Sequence, residues 1–238
     1  MPIPLLPIAS CLLVGSLPAP TVAAEGLVLP YRQVEVSAPV SSRILEMKVK
    51  EGDLVKEGQP LALLYGRLAE LEMQRAKALL ERREFEAKSA KRLYDNRVIP
   101  EAKALESRID LDLARLQYEE AAEQVRLRTI LAPLDGVVVA RTRESGETVS
   151  ASQPLFRILD LSKVVIQLAV APQALAGLAP GQKVRVSLPQ APEAATVEGQ
   201  VLLVDPCADA EGKVRVRVVV ENPLGRIRSG LRAQVAWP

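Results

Sequence analysis

Residues 38–61, APVSSRILEMKVKEGDLVKEGQPL, return 94 positions later as residues 132–155, APLDGVVVARTRESGETVSASQPL. Ala38-Pro39 aligns with Ala132-Pro133, Gly52 with Gly146, Val55 with Val149, and Gln59-Pro60-Leu61 with Gln153-Pro154-Leu155. No gap is needed: Ala to Gly is 14 residues in both copies, and Gly to Pro is 8. Each copy alternates β-rich apolar residues with a turn, Glu51-Gly52-Asp53 in the first and Ser145-Gly146-Glu147 in the second. Glycine suits the positive φ that such turns require. A unit of about 30 residues is too small to bury a core by itself. Segments 34–66 and 130–161 are therefore expected to pack around a pseudo-twofold axis as one split β-sandwich.

The insert between the copies, 67–129, reads as a helical hairpin. From Arg67 to Leu131 the only proline is Pro100, glycine is absent, and Ala, Glu, Leu, Arg, Lys and Gln dominate. Apolar residues recur at helical spacing, at Leu68, Leu71, Leu79, Ala87, Ala90 and Tyr94 and then at Ala102, Leu105, Ile109, Leu113, Leu116 and Leu127, marking two amphipathic helices. Asp95-Asn96 suits the end of the first, since Asn tolerates the left-handed conformation. Pro100 suits the first position of the second, with Glu101 on the helix dipole. Two such helices make a thin coiled-coil arm about 43 Å long. Its turn, Leu93 to Glu101, is the candidate partner-binding surface, with Leu93, Arg97, Val98, Ile99, Pro100 and Glu101 as its residues. Val98 and Ile99 cannot both be buried at such an apex. The competing reading folds Ile99 back as a hydrophobic staple.

Composition removes whole classes of function. The 238-residue chain contains no histidine, so a His general base, a His metal ligand and a Ser-His-Asp triad are excluded. Lys plus Arg is 31 against 29 Asp plus Glu, and aromatics are 3%. Neither a basic footprint nor a stacking platform for nucleic acid follows. No catalytic residue is assigned, and no metal site. Cys207 beside Asp205 and Asp209 reads as a loop thiol rather than a soft metal site.

Residues 1–24 read as a signal peptide. Ile8 to Leu17 is apolar but too short to span a bilayer, and Val22-Ala23-Ala24 offers the small residues that precede cleavage. Ile8-Ala9-Ser10-Cys11 also resembles a lipobox, in which Cys11 is lipidated. Either route implies export.

From Ser162 the pattern becomes all β: Val164–Val170, Lys183–Leu188, Thr196–Val204, Val214–Val220 and Leu231–Ala236. Pro180-Gly181-Gln182, Asp205-Pro206, Asn222-Pro223 and Ser229-Gly230-Leu231 read as turns, with Gly181 and Gly230 as structural glycines. Residues 162–238 are expected to form a small β-barrel. The fold class is thus mainly β with an α-helical hairpin.

The run Ala38–Leu61 resembles a biotinyl or lipoyl domain. That resemblance implies a modified lysine on a tight hairpin just after the Gln-Pro-Leu strand. Here that strand ends at Leu64-Tyr65-Gly66 and the helical insert follows, while Met47-Lys48 falls before the Gly52 turn. The carrier reading is rejected and no cofactor is expected.

The whole order resembles the periplasmic adaptor (membrane fusion protein) family of bacterial tripartite efflux pumps, of the HlyD and RND types. The resemblance rests on Ala132-Pro133-Leu134-Asp135-Gly136-Val137-Val138, Gly146-Glu147-Thr148-Val149, Leu178-Ala179-Pro180-Gly181-Gln182 and Arg228-Ser229-Gly230-Leu231, and covers about residues 34 to 238. It implies a non-enzymatic, homo-oligomeric, membrane-associated adaptor in the periplasm at the inner membrane. Such an adaptor bridges an inner-membrane transporter to an outer-membrane channel that meets the hairpin tip. Two features depart from the family. The membrane-proximal β-domain that many members add is expected to be absent or vestigial. Of the Arg-x3-Leu-x6-Ser tip pattern only Leu93 is in place, with Ser89 at the Arg position, Pro100 at the Ser position, and Lys88 and Arg92 offset. Two other classes stay open: a spacer or assembly protein using the hairpin alone, and an extracytoplasmic ligand-binding module.

Overall fold

The computed structural model describes residues 22–190, 196–223 and 225–237. Among these the chain forms β1 (Val22–Ser37), β2 (Ser42–Met47), β3 (Leu54–Val55), β4 (Pro60–Leu64), α1 (Arg67–Asp95), α2 (Glu101–Arg126), β5 (Thr129–Leu131), β6 (Gly136–Arg141), β7 (Thr148–Val149), β8 (Pro154–Val170), β9 (Lys183–Ser187), β10 (Thr196–Ala208), β11 (Val214–Glu221) and β12 (Arg232–Trp237). The chain divides into two compact units, residues 30–162 and residues 163–238 joined by the segment up to Leu29.

In the first unit the two repeats make two sheets. One has the order β5-β4-β2-β7; the other contains β8, β6 and β3, with β1 alongside β8. Each strand has a counterpart 94 residues away, and so does each turn contact. The Gly52 N–H donates to the Val138 carbonyl (2.8 Å), and the Gly146 N–H donates to the Ile44 carbonyl (2.8 Å). The Gly58 N–H donates to the Ala132 carbonyl (2.9 Å), and the Ser152 N–H to the Ala38 carbonyl (2.8 Å). These contacts cross between the halves, so a half standing alone would leave buried backbone groups unmet. The core repeats the same symmetry, with Val36 and Ile130, Ile44 and Val138, Val55 and Val149, and Leu61 and Leu155 all buried.

The insert leaves β4 through Gly66 and returns at β5, its base tied by the Leu64 N–H to the Arg128 carbonyl (2.7 Å). The second helix stops at Arg126, short of the expected 129. Thr129 and Ile130 are taken instead as an edge strand pairing with Leu63 and Ala62, a role β-branched residues fill well.

The packed stripe between the helices is not the leucine-rich one. The buried and half-buried positions include Ala69, Met73, Ala76, Leu80, Arg83, Ala87 and Ala90 on α1, and Ala104, Ser107, Leu111, Ala114, Tyr118, Ala121 and Val125 on α2. Both alternate steps of three and four, the heptad seam of helices packed nearly parallel to their common axis. Of the sequence-marked apolar positions, Ala87 and Ala90 are in this seam, whereas Leu68, Leu71, Leu105, Ile109, Leu113 and Leu116 are exposed. Alanine wins because its small side chain lets the backbones approach and bury each other. Among the described residues no helix is long and apolar enough to cross a membrane.

The second unit is a barrel of order β1-β12-β9-β10-β11-β8, closed by pairing of β8 with β1. Closure needs a strand from the N-terminal side: Val22 to Leu27 pair with Trp237 to Arg232. The barrel therefore does not lie within 162–238 alone. The expected cleavage point after Ala24 falls inside β1, where Ala23 and Ala24 pair with Ala236 and Val235; Cys11 and the rest of residues 1–21 lie outside the described residues. Asp205-Pro206, read as a turn, is instead part of β10, at a register shift between Val204 and Ala208. A proline fits such a bulge because the ladder there asks for no donor. Asn222 does turn the chain: buried, its amide donates to the Ile227 carbonyl (2.9 Å) and accepts from the Ile227 N–H (3.0 Å).

Candidate partner-docking site at the hairpin tip

The tip is built by a helix ending that normally asks for glycine. Asn96 keeps φ at −85°, and Arg97 takes the left-handed conformation at φ +61°. The left-handed residue is thus one position later than the Asn reading placed it. The Arg97 N–H donates to the Tyr94 carbonyl (2.8 Å) and the Val98 N–H to the Leu93 carbonyl (2.8 Å). This is the paired closure of a Schellman ending, which satisfies the last helix carbonyls. Pro100 then sits as the N-cap of α2, extended at φ −66° and ψ 154°, not as its first helical residue. Its carbonyl accepts from the Lys103 N–H (3.1 Å), and Glu101 supplies the acid of the first turn.

The apex presents Val98 at 65% exposure, with Leu93 and Tyr94 also exposed, while Ile99 is half-buried. Arg97, Pro100 and Glu101 are exposed. So one of the two apolar apex residues turns inward and the other faces out.

Beside the apex a groove between the helices is lined by Ala87, Tyr94, Ala104, Leu105 and Leu111, bordered by Lys88, Lys91, Arg108, Arg115, Glu84 and Glu101. Of this basic border the sequence reading named only Lys88; Lys91 follows it by three residues and Arg108 and Arg115 are seven apart, so each pair shares one face of its helix. Lower down, hydrogen bonds from Arg82 and then Arg83 hold the Glu86 carboxyl below the usual carboxylate range, and Arg83 also reaches Asp110 across the seam at 3.1 Å.

The four turn glycines all have positive φ: +92° at Gly52, +95° at Gly146, +87° at Gly181 and +90° at Gly230. None lies in the helical insert. In the β10 loop Cys207 is exposed, Asp205 is taken up by Arg215 (2.6 Å), and Asp209 accepts from the Lys213 N–H (2.9 Å). Hydrogen bonds from Arg215 and the Cys207 N–H hold the Asp205 carboxyl low. Among the described residues no group of three or more Cys, Asp or Glu is placed to hold a metal. Lys48 directly follows β2, its N–H donating to the Leu61 carbonyl of β4 (2.8 Å), and lies before that strand rather than on a hairpin after it.

Residues 32–161 match the family model described as "RND MFP, barrel-sandwich hybrid domain", and residues 163–238 match "CusB-like, beta-barrel domain". The chain belongs to the RND membrane fusion protein family. Within that family it is 27% identical over 221 residues to the nodulation protein NolF of Rhizobium meliloti (strain 1021), covering 87% of this chain and 60% of the relative. It is 28% identical over 251 residues to the macrolide export protein MacA of Escherichia coli O157:H7, covering 90% and 67%. The chain spans about half to two thirds of the length of the curated relatives it matches. Its fold is that of a MacA–MexA chimera carrying the Pseudomonas aeruginosa MexA α-hairpin domain (TM-score 0.80, 24% identity, 91% of this chain and 80% of that one). The membrane fusion protein Spr0693 of Streptococcus pneumoniae R6 shares it too (TM-score 0.72, 20% identity, 90% and 97%). The membrane fusion protein fold accounts for the three parts of the chain: split sandwich, helical insert and barrel.

Proposed function

We propose that this membrane fusion protein is a non-catalytic periplasmic adaptor, linking an inner-membrane efflux transporter to an outer-membrane channel through the tip of its coiled-coil hairpin. The observation that carries the reading is the tip itself. Arg97 holds a left-handed conformation that glycine adopts without strain and that costs other residues about 1–2 kcal/mol. Beside it stands an exposed valine. Strain kept at an exposed apex, together with apolar surface, is the pattern of a contact site. Residues 1–24 carry the export signal, and cleavage after Ala24 still leaves Glu25, Gly26 and Leu27 to pair with Gln234, Ala233 and Arg232.

Leu93→Asp and Val98→Asp test this in cells that depend on the pump. Both positions are exposed, so the purified variants keep their melting temperature while resistance falls and tip crosslinks to an outer-membrane protein disappear. Unchanged resistance in both variants, or no copurifying transporter after gentle crosslinking, overturns the adaptor in favour of a spacer.

A further inference from the structure

The groove beside the tip has the size and lining of a binding site for a small molecule. Its floor is set by two alanines of the seam, Ala87 and Ala104, whose short side chains leave about 670 Å³ open among the taller Tyr94, Leu105 and Leu111. Small-molecule sites are mainly apolar clefts of ~300–1,000 Å³. Tyr94 and Leu105 are exposed along this one. Apolar side chains left open to water in a concave place mark a contact surface.

Charge is laid around that floor in a definite order. Arg83 meets Asp110 across the antiparallel seam, which sets the heights. Lys88 on α1 and Arg108 on α2 then stand within a turn of each other on opposite walls, and Lys91 is nearly a turn closer to the tip. All three are exposed, and among the described residues none of them is in an ion pair. Neighbouring cations are taken up: Arg82 and Arg83 by Glu86, and Lys103 by Glu106. Like charges facing across a trough repel, and an anion laid between them is attracted from both walls. Carboxylates bound the basic stretch at each end. Glu84 lies a turn below Lys88 and Glu101 stands at the tip end, about 12 Å apart along the axis by the same heights. Arg115 lies beyond Glu84. An acidic helix filling the groove would bring its charges against these two acids, whereas one anionic head fits between them.

We infer that this groove binds a small anionic amphiphile, one molecule per hairpin. Its phosphate head lies between Lys88 and Arg108, and its apolar body lies on Ala87, Ala104, Leu105 and Leu111. The Arg108 guanidinium offers parallel N–H donors to a tetrahedral oxyanion, and the lysines add point charges. The site is concave and walled by two helices, so it takes a single free molecule; a bilayer face, being flat, would meet only the rim. It stands on the hairpin alone and does not depend on the adaptor reading.

Isothermal titration of the purified full chain with decyl phosphate, kept below its micelle concentration, tests this. Decyl phosphate should bind once per chain. Decyl maltoside, with the same tail and a neutral head, and inorganic phosphate, with no tail, should each bind at least about tenfold more weakly. Lys88→Gln combined with Arg108→Gln should cut the affinity for decyl phosphate at least about tenfold. Both side chains are exposed and outside any ion pair, so the melting temperature should hold. Lys77→Gln, three turns below Lys88 on the same helix, should bind as the parent does. Equal affinity in the double variant and the parent overturns the site, as does decyl maltoside or inorganic phosphate binding as tightly as decyl phosphate. Binding to phosphatidylglycerol vesicles without binding of monomeric decyl phosphate gives these cations to a bilayer. Capture of an acidic amphipathic peptide in place of decyl phosphate gives them to a partner helix. Either result overturns the proposal as well.

Discussion

Replacing Gly52 and Gly146 separately by alanine probes whether the two turns are one device used twice. Their φ values are +92° and +95°, and a methyl group added at either meets nothing within 4 Å. The perturbation is thus pure backbone strain, with no steric collision to confuse it. Holding a non-glycine residue in the left-handed region costs about 1–2 kcal/mol. Alanine recovers about 0.4–1 kcal/mol by restricting the unfolded chain. The net cost at each site is about 1 kcal/mol, or about 4 °C in melting temperature for a unit of this size. The reverse change is available in the same repeat. Ser152 stands where the first copy has Gly58, and both have positive φ, +66° and +77°. Ser152→Gly should raise stability slightly or leave it level, and Gly58→Ser should cost about what Gly52→Ala does. Thermal and guanidinium unfolding of the four variants reads all of this directly. If both alanine variants melt within 1 °C of the parent, or if the two differ several-fold, the pseudo-twofold account of these turns is wrong.

Ala114 is buried in the helix seam, so Ala114→Leu should force the helices apart at a cost of about 1–3 kcal/mol. Leu113→Ala, one residue away on the outer edge, should change monomer stability by under about 0.5 kcal/mol, and comparing the two melts identifies the seam. Intact-mass measurement of the mature protein should show no biotin or lipoyl group on Lys48; an adduct there would restore the carrier reading. The same spectrum reports whether the chain starts near Ala24 or at a diacylated Cys11.

Much of this architecture is legible before any coordinates. The ungapped 94-residue offset forces the two halves together, because the donors of each turn find their acceptors only in the other half. Pro100 and the absence of glycine mark the hairpin and its bend, since helix interiors exclude both residues. The β-alternation after Ser162 announces the second all-β unit. Packing decided the rest. Both helices carry two apolar stripes, so periodicity cannot say which one is buried; close backbone approach favoured alanine, with Leu80 and Leu111 beside it, and Leu68, Leu71, Leu105, Leu113 and Leu116 were left outside. Arg97 rather than Asn96 is left-handed, and with it the Arg97 N–H reaches the Tyr94 carbonyl and the Val98 N–H the Leu93 carbonyl, a closure that depends on the chain beyond the helix and not on Asn96 alone. The barrel drew its closing strand from Val22–Leu27, a run whose first three residues read in the sequence as the end of a signal peptide. Local sequence carries turns and period; the partner of an exposed strand or a two-faced helix is a long-range choice, made by whichever surface fits and satisfies it.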